Sequence, residues 1–328
     1  MKILILAAFV PIGTVHGMTA GLDANGHVWK GISLKYPSPL SGLSGPEFVD
    51  MVAKEAENFD TVLIGKGSLI SLSLFRRITQ RCDVTYWTPD SVGGDGCGPP
   101  GRPLEVGARG MLCSRIICTG TEGARWYRKN GYSGRIAQIY QGCRHNIWKP
   151  GELPRTGQHQ LCFLGLNGYI GDGGRGSKIR AIRGAGFPLR YGRRTFHEAA
   201  AKVYWNSAIC LNFCCGDITS NRLMRVVTSG GFMLTEHNKD IEATFENGNQ
   251  LAWYHFQRDI PHPEMLEQIH YYMDRPELRH EIAMRGHEWS QNWGWDQQMN
   301  KMVRFIAGKD IPADGAAGEY VSYQDTTD

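Results

Sequence analysis

MKILILAAFVPIGTVHG, residues 1–17, can be read in two ways that lead to different proteins. One lysine, the apolar run Ile3–Val10 and a break into small residues are how a secretory leader is written. The same run is a short continuous apolar segment, suited to a parallel strand buried on both faces. The residues that follow decide between them. Gly17–Asn25 is long enough for a helix ending at Gly26, and HVWKGISL (27–34) resumes strand character, which is the helix and second strand that a first strand requires. We therefore read Ile3–Val10 as the first buried strand and Pro11–Gly17 as the loop at its carboxyl end.

The alternation continues outward from that strand. GPEFVDMVAKEAENFD (45–60) sets Phe48, Val49, Val52 and Ala53 on one helical face, with Pro46 near its start. TVLIGKG (61–67) is a strand, SLSLFRRITQR (71–81) a helix and CDVTYWTPD (82–90) a strand. SVGGDGCGPPGRP (91–103) is too rich in glycine and proline for either and reads as a mobile loop. RGMLCSRIICTG, GARWYRKNG and RIAQIYQG complete a strand, helix and strand by residue 142. WKPGELPRTGQ (148–158) interrupts the pattern as a linker.

A second series starts at HQLCFLGLNGY (159–169). It runs through the helix SKIRAIRGAG, the strand FPLRYG, the helix TFHEAAAKVYWNS, the strand AICLNF, the helix SNRLMRVVTSGG and the strand FMLTEH. A helix follows over 263–273, then two more over 276–306, joined near Trp293. This is the α/β pattern of two doubly wound, Rossmann-like domains. The expected division is 1–150, 151–295, a C-terminal helix 296–310 packing back on the first domain, and a weakly ordered tail 311–328.

Composition narrows the class without naming a partner. Over 328 residues, 36 Lys and Arg against 32 Asp and Glu leave a formal charge of +4, too mild to demand a polyanion. Nine cysteines, an odd number with no C-x-x-C pair, point to reduced structural thiols and a cytoplasmic setting, with no disulfide framework or zinc site. Beyond residue 10 no apolar run approaches the roughly 18 residues of a membrane span. No two aspartates stand at D-x-D spacing, so no metal is expected.

Several separated segments share a resemblance. YWTPDS (86–91) resembles the W-x-x-D segment, and YQGCRHNIWKPG (140–151) the G-x-D-x-x-x-x-x-P interdomain segment, of the CgeB-like spore-maturation proteins, with Arg144 and His145 near the acidic position. SNRLMRVVTSGGFMLTEH (220–237) resembles their R-x-x-E-x-x-x-x-G-x-x-x-L-T helix and strand, followed by FENGNQLAWYH and MLEQIHYYMDRPELRHEIAMRGHEW. The resemblance implies the GT-B glycosyltransferase architecture, with two Rossmann-like domains facing a cleft and a nucleotide sugar, UDP-linked, between them. Where many members carry a ribose-binding glutamate three residues after the arginine, this chain has Arg225, a cation that suits phosphate.

The donor diphosphate needs close backbone approach, helix amides and positive charge. GLNGYIGDGGRG (165–176) sits between a strand and a helix, so Gly165, Asn167, Gly168 and Arg175 can form such a cradle, or a plain surface loop. Ser220 and Asn221 suit the N-cap of the helix carrying Arg222 and Arg225, whose three-residue spacing places both guanidinium groups on one face. Gly230 and Gly231 allow a tight turn, which a C-cap also explains. Tyr191 ends a strand where the fold meets the base, and Glu236 and His237 end another. For the general base, Asp90 is the first candidate and His16 its rival.

A glycosyltransferase moving a sugar from a nucleotide diphosphate to a hydroxyl is the leading reading. Arg175, Lys178, Arg180, Arg183, Arg190, Arg193 and Arg194, interleaved with aromatics, suit a double-stranded DNA backbone, and GT-B enzymes of bacterial viruses glycosylate hydroxymethylated pyrimidines. Polysaccharide, protein and lipid-linked acceptors stay open. So do a non-catalytic nucleotide-sugar-binding module, motivated by Arg225, and a sugar-nucleotide epimerase.

Overall fold

The computed structural model of the chain describes residues 1–9, 14–34, 43–89, 92, 102–152, 157–165, 174–192, 195–213, 220–255 and 262–311. It divides into two compact units, Met1–Gly142 with Trp295–Asp328, and Cys143–Gly294. The first unit contains β1 (Lys2–Ala7), α1 (Thr14–Ala24), β2 (Val28–Ser33), α2 (Gly45–Ala56), β3 (Thr61–Gly65), α3 (Leu72–Thr79), β4 (Val84–Thr88), α4 (Arg102–Gly110), β5 (Arg115–Cys118), α5 (Thr121–Lys129) and β6 (Arg135–Gln138). The second contains β7 (Gly157–Leu164), α6 (Arg175–Gly184), β8 (Leu189–Gly192), α7 (His197–Asn206), β9 (Ser207–Asn212), α8 (Asn221–Thr228), β10 (Met233–Glu236), α9 (Lys239–Thr244), β11 (Ala252–Tyr254), α10 (Pro263–Met273) and α11 (Pro276–Ser290). The chain then returns to the first unit as α12 (Trp295–Ile306).

In the first unit the sheet order is β2-β1-β3-β4-β5-β6, and neighbours pair in parallel. β1 is an interior strand, in register with Val28–Ser33 on one side and Thr61–Ile64 on the other. Its side chains alternate between two cores. Leu4 and Leu6 join Val49 and Val52 of α2 and Phe75 and Ile78 of α3, while Ile3, Ile5 and Ala7 join Met18 and Leu22 of α1 and Trp295, Met299 and Met302 of α12. Burial on both faces is why the run is apolar without alternation.

α1 and α12 meet closely because α1 presents glycines. A Cβ on Gly17 would fall on the Trp295 indole, and one on Gly21 would fall on the Trp295 backbone and the Met299 side chain. The seated Trp295 ring meets Trp87 edge to face, with centroids 6.5 Å apart. Asn25 Nδ2 ties the end of α1 to the Asp296 carbonyl at 2.8 Å.

The second unit is a five-stranded parallel sheet in the order β11-β10-β9-β7-β8. Leu161, Phe163, Ile209, Leu211, Phe232 and Leu234 pack with Ile179 and Ile182 of α6 and Met265 and Ile269 of α10. α8 closes on Gly230, whose left-handed backbone (φ 67°) lets Gly231 N–H reach the Val226 carbonyl at 3.0 Å. No helix among the described residues is long and apolar enough to cross a membrane.

The six described cysteines are free thiols. Burial pushes Cys118 up to about 12 and Cys143 up to about 11 from an ordinary 9.0. In the unfolded chain both ionise near 9, so the folded state holds extra protons above that pH. Stability is therefore fully present below pH 9 and falls as the pH rises toward 11, by about 1.4 kcal/mol per pH unit for each thiol. Urea unfolding at pH 8 and pH 10.5 checks this, and Cys118→Ala should flatten the dependence.

Candidate functional site

Chain order and sheet order part company at one place in the second unit. From β7 the chain crosses through α6 to β8 on one side, and from β9 it crosses through α8 to β10 on the other. In open parallel sheets, ligands bind outside the carboxyl ends of the strands at such a switch point. The residues at that edge are Leu164, which ends β7, followed by Gly165, and Asn212, which ends β9, followed by Phe213.

A connected set of polar groups fixes Arg222 there. Its Nε donates to the Leu164 carbonyl and its Nη1 to Asn212 Oδ1, both at 2.9 Å. Asn212 Oδ1 also accepts from Ser220 Oγ at 2.9 Å, and Asn212 Nδ2 donates to Thr235 Oγ1 at 2.9 Å, linking the ends of β9 and β10. Ser220 is the N-cap of α8 and accepts from Leu223 N–H at 3.2 Å. The guanidinium lies 4.5 Å from the Phe163 ring centroid, and a Cβ on Gly165 would fall on it. Ring, carbonyl, amide and missing side chain together hold the group in one plane at the strand edge.

Further charge gathers around the Phe163 and Phe213 rings, whose centroids are 4.7 Å apart. The Arg175 guanidinium lies 5.9 Å from the Phe163 ring, and its Nη2 donates to the Phe213 carbonyl at 3.4 Å. Lys178 Nζ lies 5.6 Å from the Phe213 ring and forms an ion pair with Glu236, both side chains being buried. Among the described residues this edge gathers the cations Arg222, Arg175 and Lys178 with the carboxylate of Glu236, and positive charge is what a bound diphosphate asks for. At the neighbouring strand end His237 Nε2 sits 3.1 Å from Glu242 Oε2, its ring 4.7 Å from that of His255. Among the described residues no group of three or more His, Cys, Asp or Glu is placed to hold a metal ion.

Residues 171–304 match the glycosyl transferase-like family. Over that stretch, somewhat under half of its length, the chain is similar to glycosyl transferase-like proteins. Its fold is that of the GT-B glycosyltransferases. The Anabaena HepE structure in complex with UDP and glucose superposes with a TM-score of 0.67 at 11% identity, over 94% of this chain and 100% of that one. Sucrose-phosphate synthase from Thermosynechococcus elongatus gives a TM-score of 0.70 at 12% identity, over 94% and 98%. An E. coli structure bound with UDP-2-fluoro glucose gives 0.63 at 10%, over 95% and 100%. No curated protein matches the sequence significantly.

The second unit brings together Gly165, Arg175, Ser220, Asn221 and Arg222 at the switch point. Tyr191 lies at the carboxyl end of the edge strand β8, partly exposed, with the Arg183 guanidinium 4.5 Å from its ring. The Arg225 guanidinium stacks on Trp148, 5.0 Å from its ring centroid. Gly230 is at the far end of α8 from Arg222 and serves as its left-handed cap. Lys178, expected on an exposed basic face, is buried against Glu236, whereas Arg180, Arg183 and Arg190 are exposed. In the first unit His16 is exposed on the first turn of α1. Asp90, Asn167, Gly168, Arg193, Arg194 and the loop 93–101 lie outside the described residues, as does the tail from 312. Asn212 was not anticipated, although a polar residue closing the apolar run AICLNF at a strand's carboxyl end is the signal that marks it.

Proposed function

We propose that the protein transfers a sugar from a UDP-sugar to a hydroxyl, with the donor diphosphate held by Arg222, Arg175 and the N-terminus of α8. The fixed Arg222 guanidinium carries this reading, because a planar, pre-oriented cation at a switch point suits phosphate oxygens. The UDP complexes of HepE and of the E. coli structure support the choice of nucleotide. In the reaction the acceptor oxygen attacks the anomeric carbon, the bond from that carbon to the diphosphate oxygen breaks, and the hydroxyl proton passes to a base. His16 or Asp90 fills that role. Arginines and helix amides stabilise the departing diphosphate without a metal.

Calorimetric titration with UDP tests the donor site. Arg222→Ala should weaken UDP binding about 10- to 100-fold, the loss of charge-assisted hydrogen bonds worth about 1.5–3 kcal/mol. Gly165→Ala should weaken it too, because the added methyl falls on the Arg222 guanidinium and pushes it off the Leu164 carbonyl and Asn212. Wild-type UDP affinity in both variants would overturn the assignment.

The acceptor we favour is a hydroxymethylated pyrimidine in DNA, in line with the CgeB-like and phage-enzyme resemblance and the exposed Arg180, Arg183 and Arg190. Such an enzyme works in the cytoplasm of the cell or host. Transfer to a duplex containing hydroxymethylcytosine, with salt-sensitive binding, is the expected result. Transfer only to polysaccharide, protein or lipid-linked hydroxyls would redirect it. One observation favours a second reading: Arg225 stacks on Trp148 where a ribose-binding glutamate is expected. UDP-sugar binding without turnover over a broad acceptor panel would make the chain a binding module.

A further inference from the structure

Burial raises the thiols of Cys82, Cys113, Cys118 and Cys143 above the ordinary 9.0. Cys162 goes the other way. It is wholly buried on β7, yet the hydrogen bond that Cys210 Sγ donates to its Sγ at 3.4 Å favours the thiolate more than burial opposes it. Ser207 and the charges of Arg190 and Arg222 add smaller contributions of the same sign. One sulfur of the pair is thus favoured as a nucleophile, and the other carries the proton.

The backbone suits a bond between them. Cys162 and Cys210 are register partners on the adjacent parallel strands β7 and β9. Neighbouring strands lie about 4.8 Å apart, inside the Cα separation that a disulfide spans, and sulfurs already in contact have only to close to about 2.05 Å. Slack for that closure lies just before Cys162. Between the pairs Gly157 with Ser207 and Leu161 with Ile209, β7 advances four residues while β9 advances two, an irregularity that interrupts the ladder beside exposed Gln160. On the other side of the pair stands the donor edge. Leu164 and Asn212 each follow their strand's cysteine by two residues, and they supply the carbonyl and the amide oxygen that seat Arg222.

We infer that Cys162 and Cys210 form a redox pair that hydrogen peroxide closes into a disulfide, shifting the strand ends that hold Arg222. The Cys162 thiolate attacks one peroxide oxygen, the O–O bond breaks, and a sulfenic acid and hydroxide result. The Cys210 sulfur then attacks the Cys162 sulfur and displaces the second hydroxide. The two sulfurs lose two electrons, the peroxide takes them up, and the two thiol protons leave with the hydroxides as two waters. Burial selects the oxidant, since a small neutral molecule enters through local opening of the interrupted ladder and a protein-sized one does not. The effect on UDP rests on the donor reading above; the disulfide does not.

The experiment treats the full-length protein with hydrogen peroxide, maps its thiols and disulfides by mass spectrometry of peptides, and titrates UDP before and after. Wild type should yield a Cys162–Cys210 disulfide and bind UDP about five-fold or more weakly. Dithiothreitol should restore the affinity, which separates the disulfide from methionine oxidation, a change this thiol leaves in place. Cys210→Ala, which removes the closing thiol, should keep its UDP affinity through the same treatment. Recovery of both residues as thiols, or pairing of either with a different cysteine, overturns the inference, and the wild-type map decides this even if the variant does not fold. A Cys162–Cys210 disulfide with unchanged UDP affinity overturns the coupling to Arg222. The same disulfide in a protein that binds no UDP even when reduced sinks the donor reading and leaves the redox pair standing.

Discussion

Lys178→Met is expected to destabilise the second unit by about 3–5 kcal/mol, the cost of leaving one member of a buried ion pair without the other. Lys178 is on α6 and Glu236 closes β10, and both side chains are almost wholly removed from solvent. With the ammonium gone, the buried carboxylate loses the cation that faces it. Glu236→Leu should be nearly as harmful, for the reciprocal reason. The double variant Lys178→Met/Glu236→Leu removes both desolvation penalties and should recover most of the loss. Urea unfolding of the four proteins, read on the second unit's transition, gives the coupling directly, and a single-variant cost below about 1 kcal/mol would contradict it. The double variant also has a functional use. If the pair shapes the donor edge, this protein folds yet binds UDP poorly.

Gly21→Val should destabilise the first unit by about 3 kcal/mol, at the upper end of overpacking costs. Ordinary overpacking is relieved when a side chain changes rotamer. Here the new Cβ alone meets the backbone of Trp295, so α12 has to shift as a body, carrying Met299 and the seated Trp295 with it. Trp87 then loses its edge-to-face partner. Gly17→Ala is a milder version, because the obstacle is an indole ring and not main chain. Tryptophan fluorescence and urea melts read both changes. Unaltered stability in Gly21→Val would mean that α12 does not depend on this contact.

Much of the sheet architecture was legible because strands buried on both faces are written as continuous apolar runs. KILILA, TVLIG and AICLN state their own status, and α10 was readable from Pro263 to Met273 through its proline start. α4 was not. The run RGMLCSRIICTG reads as a strand that takes in Gly110, yet Gly110 ends α4, and a Cβ on Gly107 or Gly110 would strike Trp126 or Tyr127. Two glycines that make room for those rings weaken the helical pattern of their own short run. α9 and β11 are too short to show a period.

The site was legible in outline. The cap at Ser220 and the cation at Arg222 follow from local chemistry, whereas the partners that the two arginines of α8 find do not. Two residues one turn apart can still meet different neighbours, here Asn212 and Trp148. Lys178 carried the same lesson more strongly. A lysine in a basic run looks solvated until a distant strand supplies Glu236. Long-range partners of this kind are properties of the fold and leave no mark in the local run of residues.

The return of α12 to the first unit has a consequence for synthesis. A ribosome making this chain releases β1 through β6 long before Trp295 exists, so the face lined by Ile3, Ile5, Met18 and Leu22 waits, uncovered, while the entire second unit is translated. The nascent first unit is a sticky intermediate by construction. α12 is the piece that closes it, making the chain's late segment the checkpoint for its earliest one.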